Sequence, residues 1–343
     1  MTVGRKRKRQ KTWSLYTERR KPSEYEIVTH KLNYHFRRAP APFELSPDAP
    51  LNRWYLEKRE GSPFQVDDWD GFRDPARLTY RGYIKRQQER EIYLDNLIDE
   101  FERKDHYASL DPEWVKLLEK LYLPGRFSGH VLQMLAMYVS QMAPSSYITI
   151  AFHFQGGDEM RRVQRTAYLA KALSLDHYEG LADSQKSRQI WEEDPHWQPM
   201  RELLEKMLVA YDWGEAFAVL GLVAKPAYDT LFNEQFAELA RKNGDELLAL
   251  MAEDFELDAQ RHRQTAKALV EYALQNKAEL RDLLNEWTEK WTPLARRAIE
   301  ELSGFFGEAP QPIEPGKVAG AVEQRLRAFW EECELSGQEE VHA

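Results

Sequence analysis

The chain has 343 residues, a formal net charge of −9 and an apolar share of 42%. That apolar share is enough for a substantial core, while the acidic balance argues against a nucleic-acid binder or a membrane-surface protein. The single cysteine, Cys333, excludes an internal disulfide framework, and no apolar run typical of a signal peptide follows the basic residues near Met1. We therefore expect a soluble cytoplasmic protein.

Residues 1–75 show no helical period. Prolines and aromatic residues alternate along this stretch: Pro22, Pro40, Pro42, Pro47, Pro50 and Pro63 with Trp13, Tyr16, Tyr25, Tyr34, Phe36, Phe43, Trp54 and Tyr55. Prolines at this density prevent long helices, and disordered segments are usually poor in aromatic residues. We expect residues 1–75 to form an extended arm that docks on a partner subunit. The alternative is a long ordered loop packed on its own domain.

Helical periodicity begins at Asp74-Pro75, with the proline in a predicted first turn. Apolar residues then recur at three- and four-residue spacing, which predicts one apolar stripe on a charged helix. The stripe consists of Tyr83, Ile84, Tyr93, Leu94, Leu97, Ile98 and Phe101. A short helix from Pro112 to about Tyr122 follows.

The stretch from Phe127 to Gly157 contains no Asp, Glu, Lys or Arg. It is too polar and too interrupted to span a bilayer, and a helix without a charged face is buried on all sides. We therefore predict two core helices that meet at Pro144, the second of which extends to about Leu175.

The C-terminal half continues as helices separated by short breaks. After a loop that contains Gly180 and Pro199, a helix is predicted from Met200 to Lys242 with a kink at Lys225-Pro226. Three more follow, over Asp245–Gln275, Ala278–Phe305 and Val318–Glu332. No strand is predicted, so the fold class is all-α.

Two similar motifs lie about one hundred residues apart on predicted core helices: Asp158-Glu-Met-Arg-Arg162 and Asp258-Ala-Gln-Arg-His262. In ferritin-like di-iron proteins two core helices each carry Glu-x-x-His, because residues i and i+3 point the same way. The first motif keeps Glu159 but has Arg162 in place of the histidine. The second keeps His262 but has Ala259 in place of the glutamate. Residues 76–343 are therefore predicted to form a ferritin-like helical bundle with extra helices and no metal site.

The remaining ligands of such a site are also missing. A di-iron centre needs about four carboxylates and two imidazoles from four helices. Lys120 to Gly157 contains no carboxylate, and Lys225 and Pro226 occupy the middle of the helix before the second motif. Only Glu215 or Asp229 remain there, as displaced candidates. We predict no catalytic, cofactor-binding or metal-binding residue, and five vestigial ligand positions: Glu159, Arg162, Lys225, Ala259 and His262.

A buried carboxylate without a counter-ion is costly, so Glu159 should be neutralised by Arg162 and Lys225. His262 should lie at the edge of this cluster, oriented by Asp158 or another acid. The alternative is an ordinary solvated pair of Glu159 and Arg162 on one helix.

Seven stretches, spread over nearly the whole chain, together carry a resemblance to a known family. They are Lys21-Pro-Ser-Glu-Tyr-Glu-Ile-Val28, Phe43-Glu-Leu-Ser-Pro-Asp48, Asp74-Pro-Ala-Arg-Leu-Thr-Tyr-Arg81, Tyr138-Val-Ser-Gln-Met-Ala-Pro144, Asp212-Trp-Gly-Glu-Ala-Phe217, Val223-Ala-Lys-Pro226 and Asp258-Ala-Gln-Arg-His262. With these stretches the chain resembles the β subunit of the hydroxylase in bacterial multicomponent di-iron monooxygenases, most closely the toluene and o-xylene branch. The retained Glu159 is a departure, since a metal-free subunit does not require it.

The resemblance implies a structural β subunit of an NADH-dependent aromatic hydrocarbon monooxygenase. It implies an α2β2γ2 hydroxylase in which the α subunit holds the di-iron centre, and in which the arm and a helical face of this chain contact α. It also implies a γ subunit, a regulatory effector protein, a Rieske-type ferredoxin and a flavin reductase. Two alternatives remain open: a stand-alone di-iron oxidase with unusual ligands, and an unrelated helical interaction protein. The sequence does not predict which aromatic compound is oxidised.

Overall fold

The computed structural model describes residues 20–32 and 48–336, and these contain helices and loops but no strand. The α-helices are α1 (Glu24–Thr29), α2 (Pro50–Tyr55), α3 (Tyr80–Glu102), α4 (His106–Ser109), α5 (Pro112–Leu121), α6 (Gly125–Met142), α7 (Ser146–Asp176), α8 (Ser184–Glu193), α9 (Gln198–Met207), α10 (Trp213–Ala218), α11 (Lys225–Asp229), α12 (Phe236–Lys242), α13 (Glu246–Asn276), α14 (Leu280–Gly307) and α15 (Pro315–Glu332). The predicted all-α, ferritin-like fold is confirmed.

Four long helices form the central bundle. Helices α6 and α7 pack along each other over most of their length, and α13 packs against α7 and against the continuous helix from Trp213 to Lys242. The junction predicted at Pro144 is confirmed, because α6 ends at Met142 and Ser145 caps α7 by accepting a hydrogen bond from the backbone N–H of Tyr147. About half of the uncharged stretch is buried, but His130, Met134, Gln141 and His153 are exposed, so the expected burial on all sides is only partly met.

The third helix of the bundle, from Trp213 to Lys242, contains α10, α11 and α12 joined by two π-helical segments, Val219–Ala224 and Thr230–Gln235. Pro226 lies within it and has no N–H for the carbonyl of Leu222, four residues earlier. The indole N–H of Trp330 on α15 donates to that carbonyl instead, at 2.7 Å. A neighbouring helix therefore supplies a donor to the carbonyl whose i+4 partner the proline removes.

The structure differs from several of the predicted helix limits, and the last helix, for example, begins at Pro315 rather than at Val318. Helix α3 begins at Tyr80 rather than at Pro75, because the side chain of Thr79 caps its first turn. The predicted helix from Met200 to Lys242 is two helices, since Asp212 caps a new one by accepting from the N–H groups of Gly214 and Glu215. The predicted loop between α7 and α9 contains α8, whose first turn is capped by Asp183.

The apolar stripe predicted on α3 is only partly buried. Tyr83, Leu94 and Ile98 are buried, while Ile84 and Tyr93 are 46% and 48% exposed. The buried face of α3 is completed by polar residues, Gln87 and Arg90, which the apolar pattern did not predict.

The described part of the 1–75 stretch packs on the helices of the same chain. Phe64 and Trp69 are buried in the main core beside Trp213, and the hydroxyl of Thr265 on α13 donates to Asp74 at 2.7 Å. In α1, Glu26 is buried and pairs with Arg73 at 3.0 Å. The division at residue 75 and the docking of the arm on a partner remain predictions.

The aromatic residues Trp13, Tyr16, Tyr34, Phe36 and Phe43 lie outside the described residues. Within the described ranges, no helix combines the length and the apolar character that a membrane crossing requires.

Candidate functional site

Four charged side chains from two bundle helices meet in the interior of the bundle. Lys225 Nζ lies 2.9 Å from Glu159 Oε1 and 2.6 Å from Asp229 Oδ2. Arg162 Nη2 lies 3.2 Å from Asp229 Oδ1. All four residues are buried, and we call Glu159, Arg162, Lys225 and Asp229 the lysine cluster.

One ion pair of the lysine cluster was expected from the sequence, and another was not. The ion pair expected between Glu159 and Lys225 is present. Arg162 forms its ion pair with Asp229 rather than with Glu159, and it contributes to the neutralisation of Glu159 only through its nearby charge. The sequence suggests Asp229 only as a displaced candidate ligand, yet its carboxylate lies between the cations of Lys225 and Arg162. Its i+4 spacing from Lys225 was the available signal, since such residues are neighbours on a helix.

The two carboxyl groups of the lysine cluster differ electrostatically. Burial raises the pKa of Glu159, and the charges of Lys225 and Arg162 oppose that rise. Burial also acts to raise the pKa of Asp229, but Lys225 and Arg162 outweigh it and hold that pKa below its usual value. Glu159 Oε2 is buried without a hydrogen-bond partner among the described residues. Asp229 is therefore the more strongly compensated carboxylate.

His262 lies beside the cluster as a neutral imidazole. Its Nε2 is 2.8 Å from Asp158 Oδ2, which is the orienting acid that the sequence suggested. Burial, followed by repulsion from Lys225 and Arg261, holds the pKa of His262 well below its usual value. In the neutral form Nε2–H donates to Asp158, and Nδ1 is buried with no partner in the described part of the chain. Ala259 is buried and presents only a methyl group.

The two D-x-x-R motifs pair with each other across the bundle. Arg261 of the second motif contacts Asp158 of the first, and Arg161 of the first lies 3.4 Å from Asp258 of the second. The i, i+3 spacing places the acid and the base of each motif on one face of its helix, so that α7 and α13 present complementary charges to each other. We call Asp158, Arg161, Asp258 and Arg261 the motif pair.

Side chains of helix α3 also contact the motif pair. Gln87 Nε2 donates to Asp158 at 2.6 Å and to Asp258 at 3.1 Å, and Tyr83 donates to Asp158 at 2.9 Å. Arg90 contacts Asp258 and lies 3.0 Å from Asp254. Sequence reasoning missed this contribution. The signal was the spacing of Tyr83, Gln87 and Arg90, which places all three on one helix face.

The carboxylates of this region are committed to protein cations. Among residues 20–32 and 48–336, no group of three or more His, Cys, Asp or Glu side chains is arranged to hold a metal ion. Lys225 lies between Glu159 and Asp229, where its positive charge would repel a metal cation. The arrangement joins α3, α7, α11 and α13 through charge. The interpretation of the five vestigial positions as former ligands remains a prediction.

Comparison with known proteins finds a matching family and relatives of similar sequence. The Methane/Phenol/Alkene Hydroxylase family matches residues 54–277. The chain is 42% identical over 296 residues to the β subunit of the hydroxylase component of the toluene-4-monooxygenase system of Ectopseudomonas mendocina, covering 86% of this chain and 90% of that protein. It is 22% identical over 268 residues to the methane monooxygenase component A β chain of Methylococcus capsulatus, covering 73% and 66%.

Two solved structures share the architecture. A structure of toluene 4-monooxygenase with toluene bound in the resting active site has a TM-score of 0.79 and 41% identity, and covers 83% of this chain and 94% of that one. A structure of xenon-pressurised phenol hydroxylase from Pseudomonas sp. OX1 has a TM-score of 0.78 at 20% identity, covering 93% of this chain and 92% of that one. The second likeness shows the fold alone.

Proposed function

The chain belongs to the methane/phenol/alkene hydroxylase family and is a hydroxylase β subunit within it, and on that premise we propose that it is the non-catalytic scaffold on which the catalytic subunit is assembled. The resemblance inferred from the sequence is thereby confirmed. The relative at 42% identity is named as part of a toluene-4-monooxygenase system, which supports an aromatic hydrocarbon as the substrate of the whole enzyme.

One observation carries the non-catalytic role: the ammonium of Lys225 lies within ion-pair distance of both Glu159 and Asp229. A di-iron centre needs its carboxylates free to bind metal and an open position for oxygen or substrate. Here the carboxylates of Glu159 and Asp229 form ion pairs with Lys225 and Arg162 of the same chain. The di-iron centre of the proposed complex therefore belongs to a separate catalytic α subunit.

The proposed complex is an α2β2γ2 hydroxylase in the cytoplasm, supplied with electrons from NADH through a flavin reductase and a Rieske-type ferredoxin and controlled by a regulatory effector protein. The arm and one helical face of this chain contact α. Helix α3 supports such a face, because Tyr80, Ile84 and Ile92 are 68%, 46% and 54% exposed at intervals of four and eight residues. Several exposed apolar residues on one side of a helix are typical of surfaces that a partner covers.

The proposal is tested by purifying the full chain alone and together with a hydroxylase α subunit that carries Glu-x-x-His motifs. We expect the isolated chain to contain no stoichiometric iron and to hydroxylate no aromatic compound, and the complex to contain iron that depends on α. Two irons per isolated chain would favour the stand-alone oxidase. Failure to bind any subunit carrying Glu-x-x-His motifs would favour an unrelated interaction protein.

A further inference from the structure

A groove between α14 and α15, on the outer side of the bundle, has a cavity volume of about 270 Å³. Its floor is apolar and buried, formed by Ile299 of α14 and by Val322, Leu326 and Trp330 of α15. Proteins bind small molecules in concave sites that are lined mainly by apolar side chains.

Small residues on α15 keep the groove open. Gly316, Ala319 and Gly320 lie on the face of α15 that borders it. A Cβ atom added at Gly320 would meet no described atom within 4 Å. The glycine therefore does not serve close helix packing, and its missing side chain leaves room at the mouth.

On the floor of the groove the polar groups are already paired, while Glu300 at the rim is exposed. Trp330 Nε1 donates to the carbonyl of Leu222 at 2.7 Å, and Thr292 Oγ1 donates to the carbonyl of Thr288 at 2.6 Å. At the rim, Arg296 Nη2 donates to Glu323 Oε1 at 2.8 Å. A ligand that needed hydrogen bonds or carried charge would lose its hydration in the groove without gaining a partner on the floor.

From the volume, the apolar floor and the paired polar groups, we propose that this groove binds one small neutral hydrocarbon of the size of a monocyclic aromatic compound. An apolar cavity of about 150 Å³ suffices for benzene, so toluene fits within the volume found here. The assignment follows from the chemistry of the groove and does not rest on the proposed function.

The test measures binding of fluorobenzene to the full chain by ligand-observed ¹⁹F NMR, with toluene as competitor. We expect saturable binding that toluene displaces. Gly320→Leu places a side chain in the open space, and we expect it to weaken the affinity at least about tenfold. Leucine is also a better helix former than glycine, so this variant should fold. Ala167→Leu adds a similar volume at an exposed position of α7 and should leave the affinity unchanged.

The location of the ligand is tested independently. Crystals exposed to bromobenzene should show anomalous bromine density between α14 and α15, which decides the matter even if Gly320→Leu fails to fold. The proposal is overturned by an absence of saturable binding, by equal affinity in Gly320→Leu and the natural chain, or by bromine density found only elsewhere.

Discussion

At the scale of single residues, Lys225 is a buried cation that connects two helices of the bundle. It reaches two carboxyl groups, Glu159 on α7 and Asp229 on its own helix, inside a region from which water is excluded. An ammonium supplies a positive charge and up to three hydrogen bonds. The two helices are thereby joined without a metal.

Lys225→Met tests this role. The substitution leaves Glu159 without its ion-pair partner and Asp229 with Arg162 alone, and we expect the free energy of unfolding to fall by about 3–5 kcal/mol in urea titrations. Adding Glu159→Gln should recover part of the loss. Lys290→Met removes a lysine that is 58% exposed and pairs with Glu215, and it should cost less than about 1 kcal/mol. Equal losses in the two single variants would contradict the role of Lys225.

His262 predicts a pH dependence. Its pKa is lowered in the folded protein, so the unfolded chain takes up the proton first as the pH falls. The contribution to stability is complete above the unfolded value of about 6.5 and is lost below it, by up to about 1.4 kcal/mol per pH unit.

His262→Gln should flatten the fall in unfolding free energy between about pH 6.5 and pH 5. The charged groups that act on His262 are Asp158, Lys225, Arg261, Asp258 and Asp229, and all remain in the variant. His153→Gln changes an exposed histidine and serves as control. Identical slopes for the natural chain and His262→Gln would show that His262 does not titrate in this way.

Restoring the two motifs should not restore iron. Arg162→His with Ala259→Glu rebuilds Glu-x-x-His in both places, but Lys225 remains and the stretch from Lys120 to Gly157 still offers no carboxylate. Because metal affinity depends on ligand number and charge balance, we expect no stoichiometric iron by elemental analysis. Tight iron binding by this double variant would show that the assignment of vestigial positions is wrong.

At the scale of elements, the helix from Trp213 to Lys242 depends on α15. Trp330→Phe removes the donor to the carbonyl of Leu222, and we expect a loss of about 1–3 kcal/mol in unfolding free energy. Pro226→Ala returns a backbone N–H to this helix. If the missing N–H is the cause, Trp330→Phe should cost less in the Pro226→Ala background. Equal costs in both backgrounds would exclude this explanation.

The sequence predicted helix boundaries better where residues next to each other in the chain determine them. Pro144, with Ser145 after it, ends one helix and caps the next, so the junction of α6 and α7 was predictable. The contribution of α3 was not, because its buried face mixes Tyr83 and Leu94 with Gln87 and Arg90. Polar residues on a buried face are explained only by partners far away in the chain, here Asp158 and Asp258. Likewise, the sequence alone does not determine whether Arg162 pairs with Glu159 or with Asp229, because that depends on how the helices pack.

At the scale of the whole molecule, the arm is both a part of the core and a candidate for docking. Tyr25 is buried beside Tyr147, at a ring-centroid distance of 5.5 Å. The alternation of proline and aromatic residues predicted the absence of long helices but not which aromatic residues pack on this same chain. That depends on the shape of the helical surface, which no local pattern contains.

Deleting residues 1–60 should impair assembly with α more than it changes the helix content of the chain. Helices α1 and α2 are six residues each, so the far-UV circular dichroism should change little. The affinity for α should fall, since a good aromatic anchor contributes about 2 kcal/mol or more to an interface. Tyr25→Ala keeps the arm but removes one contact with the core, and separates loss of docking from loss of packing. An intact complex after the deletion would exclude a docking role.

The lysine cluster also affects when this subunit can mature. Proteins that fold around a metal wait for its delivery, because the binding energy of the ion is part of their folding energy. Here that requirement is met by Lys225 and Arg162, which are translated with the chain. Chelators should leave its unfolding midpoint unchanged, and a cell starved of iron should still produce it folded. The subunit can therefore be folded before any catalytic partner has received its cofactor.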